Sequence, residues 1–187
     1  MSNSIDLGAG KRYLIVDLEA TCWENKSQGT GEIIEIGAVM YEVGKLVLSE
    51  FGSFVRPKLS AHLSEFCTRL TSIRDGDIAG APALPEALAK LLDWARPFEP
   101  WTFGCWGDYD RNQFERDCRL HGIPCPFGEH VNIKKACAAW KGCSPKPLGA
   151  AVGMLGLAFE GTAHRGIDDA RNIARVITAM AVAQMKG

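Results

Sequence analysis

The stretch from Tyr13 to Thr21, YLIVDLEAT, most constrains what this chain can fold into: bulky apolar and β-branched residues run straight into Asp17, Leu18 and Glu19. A short run that is apolar on both faces and ends in polar residues reads as a buried central strand rather than a helix. Side chains alternate along a strand, so Asp17 and Glu19 share one face while Leu18 points into the opposite core. Two like charges at the end of a buried strand push one carboxyl pKa upward unless a cation neutralises them. Oxygen ligands suit a hard divalent ion such as Mg²⁺ or Mn²⁺. Read alone, the two acids also fit a strand that simply ends in solvent.

The 187 residues predict a single domain over 1–187, with a core from about 11 to 184 and a short flexible N-terminus. Such a domain buries roughly 70% of the surface its unfolded chain exposes. The balance of 21 Lys and Arg against 22 Asp and Glu, net charge −1, excludes a basic coat that binds nucleic acid non-specifically. A phosphate-bearing partner would have to be held by metal ions and a few placed cations. The seven cysteines are odd in number and include no C-x-x-C pair, so free thiols in a reducing cytoplasm are expected. The N-terminus MSNSIDLGAGKR is polar, and the longest apolar tract, about 148–159, falls short of the roughly 20 residues a bilayer requires. No membrane partner is expected.

Along the chain, residues 24–31 read as a polar loop, followed by extended runs from Ile33 to Tyr41 and Leu46 to Phe54 about a turn near Val43-Gly44-Lys45. With the first strand these make an antiparallel meander. Residues 56–81 predict two short helices. Leu84, Ala87, Leu88, Leu91, Leu92 and Ala95 form the apolar stripe of a helix that Pro97 stops. A fourth strand is expected over Trp101–Cys105, a helix over Tyr109–His121, and a short fifth strand over Val131–Ile133. Helical pieces follow at 134–140 and 148–155, and a last helix from Gly166 to about Gln184.

In the Tyr109–His121 helix, Phe114 and Cys118 stack above Asp110 at i+4 and i+8. If they face the core, Asp110 faces inward as well; an acid that serves the helix dipole is the alternative. Asp169 lies in the first turn of the last helix, with His164 five residues before it. Taken alone, His164 fits a surface or helix-entrance histidine.

D-L-E at 17–19, Asp110 within WGDYDRNQF and H-R-G-I-D-D-A at 164–170 together resemble the three motifs of the DEDDh 3′-to-5′ exonucleases, in order and over nearly the whole chain. DLEATCWE, EIIEIGAV, EFCTRLTSI and HRGIDDARNIA resemble the branch of the histone-mRNA 3′-end exonuclease and its bacterial sporulation-inhibitor-like relatives. In GDYD the helical spacing to Phe114 selects Asp110 over Asp108, and the five-residue step from His164 selects Asp169 over Asp168.

The resemblance implies an α/β, ribonuclease H-like fold with a mixed five-stranded sheet flanked by helices. It also implies two Mg²⁺ or Mn²⁺ ions held by Asp17, Glu19, Asp110 and Asp169, with Asp17 between them, and His164 as general base. An imidazole exchanges protons near neutral pH, and such a base contributes on the order of 10²- to 10⁴-fold. The expected substrate is a single-stranded 3′ end, RNA ahead of DNA, and the product a nucleoside 5′-monophosphate. Ala20 and Thr21 match the site of the terminal ribose, and Phe66 and Tyr109 match aromatics that pack on the last base, although Phe66 fits a core position as well. Arg165, Arg171 and Arg175 are candidates for phosphate contacts or a solvated basic face. His62, His121 and His130 read as surface residues. The alternatives are a catalytically silent nucleic-acid-binding module, against which the presence of all five site residues argues, and an exonuclease subunit that depends on a partner.

Overall fold

The computed structural model describes residues 5–25 and 29–186; residues 1–4 of the expected flexible N-terminus and 26–28 of the expected polar loop lie outside them. Its sheet is formed by β1 (Arg12–Ala20), β2 (Ile33–Glu42), β3 (Leu46–Phe54), β4 (Thr102–Cys105) and β5 (Val131–Asn132), in the order β3-β2-β1-β4-β5. The first three strands form the antiparallel meander, whereas β4 joins β1, and β5 joins β4, in parallel. The short helices are α1 (Glu65–Thr71) and α2 (Asp75–Ala79), followed by α3 (Leu84–Ala95) and one 3₁₀ turn through Pro97. Then come α4 (Tyr109–His121), α5 (Ile133–Lys141), α6 (Leu148–Met154) and α7 (Gly166–Lys186). Ile133, expected to close the fifth strand, instead opens α5, because the Asn132 side chain accepts the Lys135 N–H at 2.9 Å and caps the helix.

The period of two along β1 divides the core. Leu14, Val16 and Leu18 pack on one face with Leu88 and Leu91 of α3 and Phe114 of α4. Tyr13 and Ile15 pack on the other with Ile133 of α5 and with Ile173 and Ile177 of α7. Residues 17 and 19 continue the second series, so the strand's acids emerge on the α7 side at its C-terminal end. The β4–β1 junction brings the loop into α4 to that same end. All seven cysteines are free thiols, and no helix among the described residues is long and apolar enough to cross a membrane.

Candidate active site

Asp17, Glu19 and Asp169 each bring one carboxylate oxygen within 4.8 Å of the other two. Close packing of two glycines makes this approach possible. A Cβ on Gly37 of β2 would lie 2.0 Å from the Gly166 carbonyl carbon, and one on Gly166 would lie 2.9 Å from the Asp17 carbonyl oxygen. The first turn of α7 therefore rests on bare backbone of the sheet, with Asp169 directed toward β1. Asp110 arrives from α4, only 4% exposed, and its Oδ1 accepts the Leu18 N–H at 3.1 Å. All four acids and His164 line one cavity of about 360 Å³.

Burial, more than charge, sets the acids' behaviour. Glu19 is pushed up to about 8 by desolvation and then by the like charges of Asp169 and Glu35. Desolvation also raises Asp110 to about 7 and moves Asp17 well above the carboxylate range, with Asp110 and Asp169 adding to the effect on Asp17. Asp169 is raised by burial, partly offset by the Arg165 N–H that its Oδ2 accepts at 3.1 Å. Compensation from within the chain is small: Arg165 acts on Glu19 only as the least of its causes, and among the described residues no lysine or arginine lines the cavity.

His164 is solvent-exposed and takes a left-handed backbone conformation, φ 62°, which costs a non-glycine residue roughly 1–2 kcal/mol. Ala20 and Tyr109 line the cavity, Tyr109 at 55% exposure. Thr21 and Phe66 do not. Thr21 is buried, with its Oγ1 accepting the Glu32 N–H at 2.9 Å, so it ties the end of β1 to the start of β2. Phe66 is half-buried on α1, and Leu70, one turn later on the same stripe, faces the cavity. Trp23 stands against Gly29, where an added Cβ would meet its ring at 2.7 Å.

Asp108 lies apart from the other acids. It accepts Asn132 Nδ2 at 2.9 Å and Lys135 Nζ at 3.1 Å. Its neighbour His130 has a side chain only 3% exposed and sits 3.0 Å from the Gly107 carbonyl oxygen, contrary to the expected surface position. Asp168 accepts the Thr162 N–H at 2.9 Å and pairs with Arg171 at 2.8 Å. The three candidate phosphate arginines are each held by the protein's own acids: Arg165 by Glu35, Arg171 by Glu50 and Asp168, and Arg175 by Glu160. Leu18, Cys22, Leu70, Trp106, Pro147 and Leu148 complete the cavity wall, and no motif in the sequence marks them as site residues. Trp106 is fixed there by its indole N–H, which donates to the Lys146 carbonyl at 3.2 Å. The WGD run before α4 was the available signal for it.

The Exonuclease (RNase_T) family model matches residues 14–177. The chain belongs to the Exonuclease family. The exonuclease relatives include mouse 3′-5′ exoribonuclease 1, 34% identical over 178 residues, which cover 89% of this chain and 52% of the mouse protein. The 3′-5′ exonuclease eri1 of Schizosaccharomyces pombe is 32% identical over 204 residues, covering 90% of this chain and 68% of that protein. The chain thus spans about half the length of its mouse relative. The crystal structure of the nuclease domain of 3′hExo, a DEDDh family member bound to rAMP, superposes with a TM-score of 0.86 at 28% identity, covering 94% of this chain and 93% of that one. The ribonuclease H-like fold expected from the motifs is the fold of this chain, and the 3′hExo domain that superposes on it is a DEDDh family member.

Proposed function

We propose that this exonuclease chain hydrolyses the terminal phosphodiester at the 3′ end of single-stranded nucleic acid, RNA in preference to DNA, and releases nucleoside 5′-monophosphates. The convergence of Asp17, Glu19 and Asp169 within 4.8 Å, with Asp110 and His164 on the same cavity, supports the reading most directly. The donor set fits hard divalent cations, because it is all anionic oxygen and its raised carboxyls are relieved by a positive charge. Asp17, Glu19 and Asp169 would hold one Mg²⁺ or Mn²⁺, and Asp17 with Asp110 a second. Bound there, such ions polarise the scissile phosphate and neutralise charge on the attacking and leaving oxygens.

The side chains perform the remaining steps. His164, exposed at the mouth of the cavity, takes the proton from the attacking water. The Ala20 backbone borders the terminal ribose, while Tyr109 and Leu70 offer apolar surface to the last base; Thr21 and Phe66, expected beside them, stand outside the cavity lining. Stacking accepts any base, which suits an enzyme that reads an end and not a sequence. The RNA preference rests on the mouse relative's name as an exoribonuclease and on the ribonucleotide bound by the 3′hExo nuclease domain.

A time course on 5′-labelled single-stranded RNA and DNA, with free or blocked 3′ ends and with MgCl₂, MnCl₂ or EDTA, tests this. Free ends should shorten stepwise only with a divalent ion, RNA faster than DNA. Shortening of blocked ends, or equal activity in EDTA, would overturn the proposal.

A further inference from the structure

Glu35 is a buried acid, 5% exposed, directly opposite Glu19 in the β1–β2 register. Like charges facing each other across two strands destabilise a sheet, so its placement calls for a compensating partner. That partner is the turn that opens α7. Glu35 Oε2 accepts the Gly166 N–H at 2.9 Å, and Oε1 accepts Arg165 Nη2 at 2.8 Å, with Arg165 Nε 3.3 Å from both oxygens. The guanidinium also lies over the Phe54 ring, 5.5 Å from its centre. The same turn contains His164 in its left-handed conformation and provides the Arg165 N–H that Asp169 accepts.

We propose that Glu35 is a positioning residue of the active site: by holding Arg165 and Gly166 it fixes the turn that aims His164 and Asp169 at the end of β1. The proposal rests on the exonuclease reading for its kinetic consequence and on geometry alone for its structural one. A turn carrying a left-handed non-glycine residue stays in place only where its surroundings over-determine it. Glu35 supplies three of those restraints from one buried carboxylate. The pair also keeps the guanidinium of Arg165 bound at the sheet.

Three variants test it. Glu35→Gln keeps an acceptor for the Gly166 N–H but presents an amide to Arg165, Glu35→Ala keeps neither, and Glu50→Gln breaks the Arg171 ion pair on the same helix while leaving the turn alone. The readouts are kcat and KM on 3′-ended RNA, thermal melting, and amide exchange over residues 164–169. A misplacement of about 1 Å costs on the order of 10²-fold, so kcat should fall about 10-fold in Glu35→Gln and about 100-fold in Glu35→Ala. KM should stay within about twofold, Glu50→Gln should resemble the wild type, and exchange should accelerate at 164–169 in the same order. The E35Q/R165Q double variant keeps the neutral side chain and removes the freed cation; its kcat should stay as low as that of Glu35→Gln. An unchanged kcat in folded Glu35→Gln, or an equal loss in Glu50→Gln, would overturn the proposal. If the wild type releases no nucleotide, the exonuclease reading fails and exchange decides: unaltered rates at 164–169 in Glu35→Ala would then overturn the positioning role as well.

Discussion

The carboxylates of the sheet fall into two regions with opposite electrostatic settings, one at the end of β2 and along the edge strand β3, the other at the C-terminal end of β1. Where β2 leads into its turn toward β3, Glu42 accepts Arg12 Nε at 2.8 Å and pairs with Lys45 at 2.9 Å; on β3, Glu50 pairs with Arg171 at 2.6 Å. Hydrogen bonds from those bases hold both carboxyls below their ordinary range. At the C-terminal end of β1, Asp17, Glu19 and Asp110 are raised, first by burial and then by the like charges around them, and among the described residues no lysine or arginine lines their cavity. A fold that pairs its acids with bases at the outer rim and crowds them together at the cavity has left the second set for a charge from outside the chain. The first set stabilises the fold; the second opposes it until a cation arrives.

The sharpest way to break this contrast is Asp17→Asn. Losing a carboxylate shared between ion positions removes several kcal/mol of transition-state stabilisation, which corresponds to a fall of about 10⁴-fold in nucleotide release. The same change relieves crowding, so in EDTA the variant should melt higher than the wild type. Retained activity, or a lower melting point in EDTA, would contradict the contrast. Next in size, His164→Ala should lower kcat by on the order of 10²- to 10⁴-fold, with divalent-ion binding measured by calorimetry unchanged. Loss of ion binding in that variant would give His164 a different role.

Stability against pH gives a smaller effect with a defined sign. Without ions, Glu19 near 8 and Asp110 near 7 hold protons that an unfolded chain with carboxyls near 4 has released. The folded state binds more protons in that window, so the melting temperature in EDTA should fall as pH rises from about 4 to about 8. Glu42 and Glu50 work the other way: their lowered carboxyls contribute stability that is present above about pH 4 and lost as pH falls through their folded values. MgCl₂ should therefore raise the melting temperature more at about pH 8 than at about pH 6, and Glu19→Gln should flatten the decline in EDTA. Equal magnesium increments at the two pH values would show that the acids are already ionised without it.

Much of this was legible in the chain because period alone places it. The i, i+2 spacing put Asp17 and Glu19 on one face of β1, and the i, i+4, i+8 stack turned Asp110 inward with Phe114 and Cys118, all buried as expected. What could not be read depends on which elements become neighbours. Glu35 is one polar residue within a strand buried throughout, and only the β1–β2 register and the arrival of α7 reveal what it touches. Arg165, Arg171 and Arg175 look like an open basic face at the start of the last helix and along it, but β2, β3 and the loop before α7 respectively supply their acids. His130 lacks a partner in its own segment and finds the Gly107 carbonyl across the fold. The Gly37–Gly166 contact is likewise invisible to pattern, since either glycine alone reads as a weakness in its element.

The finest test concerns the apolar wall beside the carboxylates, where the smallest effect is expected. On a seven-residue helix, Phe66 and Leu70 belong to one stripe a turn apart, so spacing cannot say which turn reaches the cavity; in the fold it is Leu70, beside Tyr109 of α4. Tyr109→Ala removes an aromatic surface that is 55% exposed at the cavity, and base–aromatic stacking is worth about 1–3 kcal/mol per base, so KM for single strands should rise about 5- to 100-fold with kcat nearly unchanged. Phe66→Ala acts through the packing of α1 and should raise KM only about two- to threefold, in step with a lower melting temperature. Measuring both on a substrate whose terminal nucleotide is abasic separates the roles. The Tyr109 penalty should vanish there, since no base remains to stack, while the Phe66 penalty should persist. Should the Phe66 penalty be the one that vanishes, the base lies a full turn nearer the start of α1 than the cavity lining places it, and Leu70 becomes the packing residue.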